Sequence, residues 1–352
     1  MKAVTRLQLK EGMVIAEDVL NYKNELIVPI NTTVNQGIIA LLASNSIMVV
    51  KVKEEIDLGK TRFEKLKASD DFHIFETRYK QCFIKYKEIM MECVDKGAAV
   101  DIPALMNIYD LIMSNIRTGE ELLDYLTILS SNEDELTHSH CLNSALIAGV
   151  FGLWLGYGNE DIQTLIQAGF VYDIGKLRLP YRILWKPDKL TEAEYSLVKH
   201  HTYLSEDMLK RTPLNDHVIK AVAQHHERID GSGYPDGLTD KEIDPFAKCI
   251  AIIDSYEAMT SPRAYREPKN AFQVIDILEN QKNKKYDGKM LEIILTKIAS
   301  SQLGLVAKIK DGRLGIVTRI NRNALSKPVL TLDDRTPLDL SKMPWLPIEH
   351  IM

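Results

Sequence analysis

The chain has 352 residues, with 44 Lys and Arg against 49 Asp and Glu, a formal charge of −5 and 45% hydrophobic residues. At about 100–200 residues per domain, that length predicts two or three folded units, and the apolar fraction excludes a wholly disordered chain. The mildly acidic balance excludes general coating of nucleic acid polymers, which needs a basic face to displace counterions.

In chain order, residues 1–54 read as a small α/β N-terminal domain. Met13–Ala16 and Leu26–Val28 are its expected short strands, Ile38–Leu42 a helix and Ile47–Val52 a β run. Residues 55–128 read as a helical connector in which Pro103 opens a helix. Its helices either pack on the core or form a homodimer seam. Residues 129–300 carry helical spacing throughout. Residues 301–352 read as a small β-rich C-terminal domain, with a hairpin turn at Asp311-Gly312 and a third strand at Val329–Leu332. The longest apolar run, Ser144–Tyr157, is about two-thirds of the ~20 residues that a membrane span needs. The N-terminus meets charges too early for a signal peptide. Cys82, Cys93, Cys141 and Cys249 lie far apart with no CxxC pair, which predicts reduced thiols in a cytoplasmic protein.

Seven of the nine histidines fall between positions 138 and 226. Leu142, Ala145, Leu146, Gly149, Val150, Leu153 and Trp154 predict one buried helix face, with His140 at its N-terminal edge. A second helix, Ile162 to Phe170, ends in Tyr172-Asp173, with Gly175 as its expected C-cap. A third buries Leu197, Val198, Leu204, Ser205, Met208 and Leu209 and turns His201 inward. A fourth carries His225 and His226 at i+3 and i+4 from Val222, and a fifth turns Asp254 inward with Ala247, Ile250 and Ala251. Buried carboxylates are costly unless they are paired or bind metal. A mixed His/Asp set without thiolate suits Fe, Mn or Zn, and a shared Asp suits a two-metal centre.

The run His225-His226-Glu227-Arg228-Ile229-Asp230-Gly231-Ser232-Gly233-Tyr234-Pro235 resembles the signature of the HD-GYP domains. These are a branch of the HD phosphohydrolase superfamily that hydrolyses the bacterial second messenger cyclic di-GMP. The resemblance runs from about His140 to Asp287. It takes in Asp173-Ile174-Gly175-Lys176, Lys186-Pro187, His201-Thr202, Asp254 through Ser261, Arg263 and Tyr265-Arg266. It implies a mainly α fold, an HD-type helical bundle core over 129–300 between the small α/β and β domains. It implies two divalent ions, Fe or Mn, on His140, Asp173, His201, His225, His226 and Asp254, with Asp173 as the bridge. Asp173 and Lys176 are the implied catalytic pair. Lys176, Arg263, Arg266, Gly233, Tyr234 and Pro235 are the implied substrate contacts. Glu227 and Asp230 are read as braces of the loop, and His138, His200 and His217 as surface or helix-end residues.

The chain departs from that pattern at Tyr172-Asp173, where the family has a His-Asp pair. In the family's layout one metal uses His140, residue 172, Asp173 and Asp254, and the other uses Asp173, His201, His225 and His226. Tyr172 is therefore a further candidate ligand, but a phenol must lose a proton of pKa near 10, which puts occupancy of the first site in question. Leu136 stands where three-metal members carry a glutamate, so a dinuclear centre is expected. The implied reaction is hydrolysis of cyclic di-GMP by metal-activated water. The alternatives are a catalytically impaired protein that binds the dinucleotide or a partner and transmits a signal, and a hydrolase of another nucleotide. Implied partners are cyclic di-GMP, other signalling proteins through the Gly-Tyr-Pro loop, and a second copy of the chain, with no membrane span.

Overall fold

The computed structural model describes residues 2–21, 25–30, 32–52, 62–129, 135–184, 186, 188–262 and 268–352. Near the N-terminus, β1 (Lys2–Thr5) pairs antiparallel with β4 (Val49–Val52), and β2 (Val19–Leu20) pairs with β3 (Leu26–Val28). Helix α1 (Gln36–Ser44) starts at Asn35, whose side chain accepts from the Ile38 N–H. Val4, Ile15, Val28, Val34, Leu42, Val50 and Val52 form a small core of their own. The run Met13–Ala16 makes only isolated bridges, Val14 to Thr33 and Ile15 to Val52, instead of a strand.

After α2 (Arg62–Lys67), α3 (Asp70–Lys96) runs from its Ser69 cap to Gly97, whose φ of 63° ends it. Phe72, Phe75, Tyr79, Cys82, Tyr86, Met90 and Cys93 recur every three or four residues and are buried together with the main core. That face of the connector is spent on core packing. α4 (Ile102–Met113) opens at an Asp101 cap with Pro103 in its first turn, followed by α5 (Gly119–Ile128).

α6 (Leu136–Leu155) is the central helix. It is buried on every side from Cys141 to Gly152, while Leu153, expected inside, is 65% exposed. α7 (Asn159–Val171), α12 (Pro245–Thr260), α14 (Gly288–Ser300), α5 and α3 all pack against it, so no polar face is left. The third expected helix is broken at His200 into α9 (Glu192–Lys199) and α10 (His201–Leu209). Only α10 reaches the core: His201, Thr202, Ser205 and Leu209 are buried, and Leu197 on α9 is exposed. The remaining helices are α8 (Tyr181–Leu184), α11 (Asp216–Gln224) and α13 (Ala271–Glu279).

The C-terminal strands β5 (Val306–Ile309), β6 (Leu314–Arg319), β7 (Val329–Leu332), β8 (Pro337–Asp339) and β9 (Ile348–Ile351) form an antiparallel sheet in the order β8-β7-β6-β5-β9. The Asp311-Gly312 turn joins β5 to β6 as expected, with Gly312 at φ 90°. β9 closes the other edge of β5 by pairing Ala307 with Ile351. The inward face of the sheet is continuous with the helical core. Among the described residues no helix is long and apolar enough to cross a membrane.

Candidate metal centre

Five chain segments converge on Asp173, whose side chain is fully buried. α7 ends at Val171, and the chain turns through a 3-10 segment, Ile174–Arg178, that lies against α10. Gly175 makes this contact rather than capping α7. Its N–H donates to Ser205 Oγ at 2.8 Å, and a Cβ there would stand 2.2 Å from the His201 carbonyl oxygen. The tight approach sets Asp173 beside His201.

Two groups share Asp173: Asp173, His201, His225 and His226, and His140, Asp173 and Asp254, each able to bring one ligand atom per residue within 4.8 Å of the others. In the first group, His201 Nδ1 faces the Val198 carbonyl at 2.7 Å and His225 Nδ1 faces the Val222 carbonyl at 2.8 Å. A carbonyl only accepts, so each ring carries a proton on Nδ1 and turns its Nε2 toward Asp173. Those Nε2 atoms stand 3.1 and 3.5 Å from Asp173 Oδ1 and 3.4 Å from each other. Asp173 Oδ1 and His226 Nε2 are buried without a hydrogen bond. Burial pushes the His201 and His226 pKa values down, which keeps both rings neutral. Lone pairs facing one another with no hydrogen between them are costly, and a divalent cation is what removes that cost. The donor set therefore fits a metal.

In the second group, His140 Nε2 lies 3.0 Å from Asp254 Oδ1 and 3.7 Å from Asp173 Oδ2. Its Nδ1 contacts the Glu257 carboxylate. Burial opposes the imidazolium, but Glu257 and Asp254 outweigh it and raise the His140 pKa to about 10. Metal bound here must displace the Nε2 proton. Tyr172 OH is 2.6 Å from His140 Nε2 and 3.0 Å from Ser144 Oγ. Burial, then Asp254 and Asp173, push the Tyr172 pKa well above its ordinary value, so it stands in the site as a neutral phenol.

Lys176 reaches Asp173 Oδ2 at 2.5 Å; burial opposes the Asp173 carboxylate, but the Lys176 ammonium together with His201 and His225 holds it well below the usual carboxylate range. His225 caps α11, and His226 follows it in the turn. Beyond them, Glu227 accepts from the N–H groups of Asp236, Gly237 and Leu238 at 2.7, 3.1 and 3.0 Å. Asp230 accepts from the Ser232 N–H and hydroxyl at 3.0 and 2.6 Å. Both brace the loop, as expected. At Gly233 a Cβ would stand 2.4 Å from the Arg228 nitrogen, so the loop closes only with glycine. Tyr234 stacks on His226, with centroids 4.6 Å apart and rings 28° from parallel, and Pro235 follows it, half-buried. Arg263 and Arg266, with Tyr265, lie outside the described residues, as does Pro187.

Three side chains correct or extend the reading by sequence. His138, expected at the surface or at a helix end, lies in the first turn of α6 but is 6% exposed and packs edge-on against Tyr86, because α6 is enclosed even there. Burial, then Lys87, lowers its pKa to about 4. Glu257 lies outside the set of site residues that the sequence suggests. It is 2% exposed, and besides His140 it accepts from Asn143 Nδ2 at 2.9 Å and from the Ser261 hydroxyl. Asn143 in turn accepts from the Tyr79 hydroxyl at 2.7 Å. The available signal was spacing: Glu257 is three residues past Asp254 on α12, and Asn143 three past His140 on α6. Next to Leu136, Glu135 is turned to Lys87 at 2.8 Å.

Residues 126–290 match the family described as HD domain. The chain is 30% identical over 234 residues to the cyclic di-GMP phosphodiesterase PA4108 of Pseudomonas aeruginosa, covering 66% of this chain and 56% of that protein. It is 34% identical over 179 residues to a cyclic di-GMP phosphodiesterase of Thermotoga maritima, covering 50% and 48%. It thus spans about half the length of the curated relatives it matches. Among solved structures it is similar to Bd1817, a HDG"Y"P protein from Bdellovibrio bacteriovorus, at 14% identity and a TM-score of 0.47, covering 85% of this chain and 99% of that one. With its mainly helical core and its shared His/Asp cluster, this is an HD-domain protein related to the HD-GYP cyclic di-GMP phosphodiesterases.

Proposed function

We propose that the protein is a metal-dependent phosphodiesterase of cyclic di-GMP. The observation that carries this reading is the sharing of Asp173 between two ligand groups, with the Lys176 ammonium on its second oxygen. His140, Asp173 and Asp254 would hold one ion, and Asp173, His201, His225 and His226 the other. Two divalent ions, Fe or Mn, supply Lewis acidity toward phosphoryl oxygens and a water of lowered pKa. Lys176 would set its positive charge against a phosphodiester held at the two ions, and Asp173 orients that charge. Arg263 and Arg266 are assigned to the dinucleotide's phosphates and the Gly233-Tyr234-Pro235 loop to the wall of its cleft. The assignment to cyclic dinucleotides draws on relatives named for cyclic di-GMP and on others, of Vibrio cholerae, named for 3'3'-cGAMP. The domain limits given above and a cytoplasmic location belong to the same reading.

A second reading has its own support. Tyr172 stands at His140 as a neutral phenol and contributes no anionic ligand, which leaves that group one ligand poorer than its neighbour. A protein that fills one site alone would bind the dinucleotide and signal without turnover. Both readings are tested by loading the purified protein anaerobically with Mn²⁺ or Fe²⁺, counting metal by mass spectrometry and following cyclic di-GMP by chromatography. Two ions per chain with turnover support the enzyme. One ion, with binding but no turnover, supports the signalling protein. Neither binding nor turnover overturns both.

A further inference from the structure

Beside the Tyr234 loop, α9 carries Tyr195, 49% exposed, and Lys199, half-buried. The Lys199 ammonium sits 5.2 Å from the Tyr195 ring centroid and 5.9 Å from that of Tyr234, within cation–π range of both. The two rings stand 78° apart with centroids 6.5 Å from each other, so they form a corner with the ammonium beside it. Tyr234 itself lies against His226, which puts the corner one residue away from the candidate metal centre. Lys199 makes no ion pair among the described residues. Glu194, one turn back on the same helix, is committed to Lys186 at 2.6 Å and to the Thr191 cap.

We propose that Tyr195, Lys199 and Tyr234 form a purine-base subsite of the cyclic dinucleotide, and that Lys199 selects guanine over adenine. This rests on the reading that the substrate is a cyclic dinucleotide. Stacking on a phenol ring is base-tolerant, because every base has a π face. An ammonium is not base-tolerant, since it can only donate. Guanine presents two adjacent acceptors, O6 and N7, whereas adenine places its N6 amine donor beside N7. Tyr195 thus supplies affinity for either purine, and Lys199 supplies the preference.

The test uses the full chain and measures binding of cyclic di-GMP and cyclic di-AMP by calorimetry, with thermal melting of each variant to show that it is folded. The wild type should prefer cyclic di-GMP. Lys199→Met should weaken cyclic di-GMP by roughly tenfold or more and leave cyclic di-AMP unaltered, collapsing the ratio. Tyr195→Ala should weaken both ligands alike, by about tenfold. A Lys199→Met protein that keeps the wild-type ratio overturns the assignment, as does a wild type that binds neither ligand. Wild-type turnover of bis(p-nitrophenyl) phosphate, which has no base, is measured separately. Its absence alongside a Lys199-dependent preference sinks the phosphodiesterase reading and spares the subsite, and its presence alongside an unchanged ratio does the reverse.

Discussion

Replacing Glu257 with Gln should uncouple the two halves of the metal centre. The change is isosteric and the site is 2% exposed, so the packing of α12 against α6 is kept. What is lost is the negative charge on His140 Nδ1. The Gln amide retains an oxygen for the Asn143 donor at 2.9 Å or the Ser261 hydroxyl, but its NH2 group is a donor aimed at His140. The imidazole then accepts at Nδ1 and must keep its one proton on Nε2, the nitrogen that faces Asp254 at 3.0 Å, whereas beside Glu257 it can give up that proton to metal and hold the other on Nδ1. Carboxylate partners of ligating histidines are typically worth about 10–100-fold in metal affinity, or roughly 1.4–2.8 kcal/mol. The loss should fall on the group of His140, Asp173 and Asp254, because His201 and His225 are oriented by the backbone carbonyls of Val198 and Val222. Calorimetric titration with Mn²⁺ should therefore show one site weakened by that factor and the other unmoved, with stoichiometry at limiting metal falling toward one. Two sites of wild-type affinity in Glu257→Gln would refute the argument that this carboxylate orients His140.

Tyr172→His should raise affinity at the same group by at least the ~10-fold of an outer partner, since a neutral imidazole replaces a phenol that burial keeps protonated; metal analysis showing no gain would count against it. Gly175→Ala should lower the unfolding free energy by about 3 kcal/mol, because the new methyl meets backbone at His201 and Ser205 at 2.2 and 2.6 Å, and a chemical denaturation midpoint equal to wild type would contradict the packing described. Burial raises the Asp124 pKa to about 6 despite its ion pair with Arg62. Its unfolded form loses the proton first, so stability should fall between pH 4 and pH 6 by up to about 3 kcal/mol and stay low above. Asp124→Asn should flatten that part of the stability profile, and an equally steep decline in the variant would exclude this carboxyl as its source.

Much of the candidate centre was legible in the sequence because the residues that could hold metal obey helical spacing. His201, His225, His226 and Asp254 each sit a turn or two from apolar residues that must face inward, and a buried set of imidazoles and carboxylates has few uses other than metal. The loop from Glu227 to Pro235 was legible for a different reason. Its braces are local, with Asp230 bonding Ser232 two residues on and Glu227 collecting N–H groups nine to eleven residues on.

Periodicity, however, reports which residues share a face and is silent on what that face meets. α6 reads as a helix with one buried side, yet packed neighbours enclose it, and this is why His138 is inside. Glu257 and His140 are 117 residues apart, and Tyr79 and Asn143 are 64 apart. Only the packing of α12 and α3 onto α6 makes each pair neighbours. The break at His200, which frees α9 to carry Tyr195 and Lys199 beside the Tyr234 loop, likewise comes from α10 being pinned against the Gly175 turn while α9 has no core to cover. The sequence by itself determined the candidate ligand types and the elements that carry them. Tertiary structure decided which of those side chains gather around Asp173, which partner fixes each ring and where the phenol of Tyr172 points, because those are contacts between segments whose separation along the chain carries no local signal.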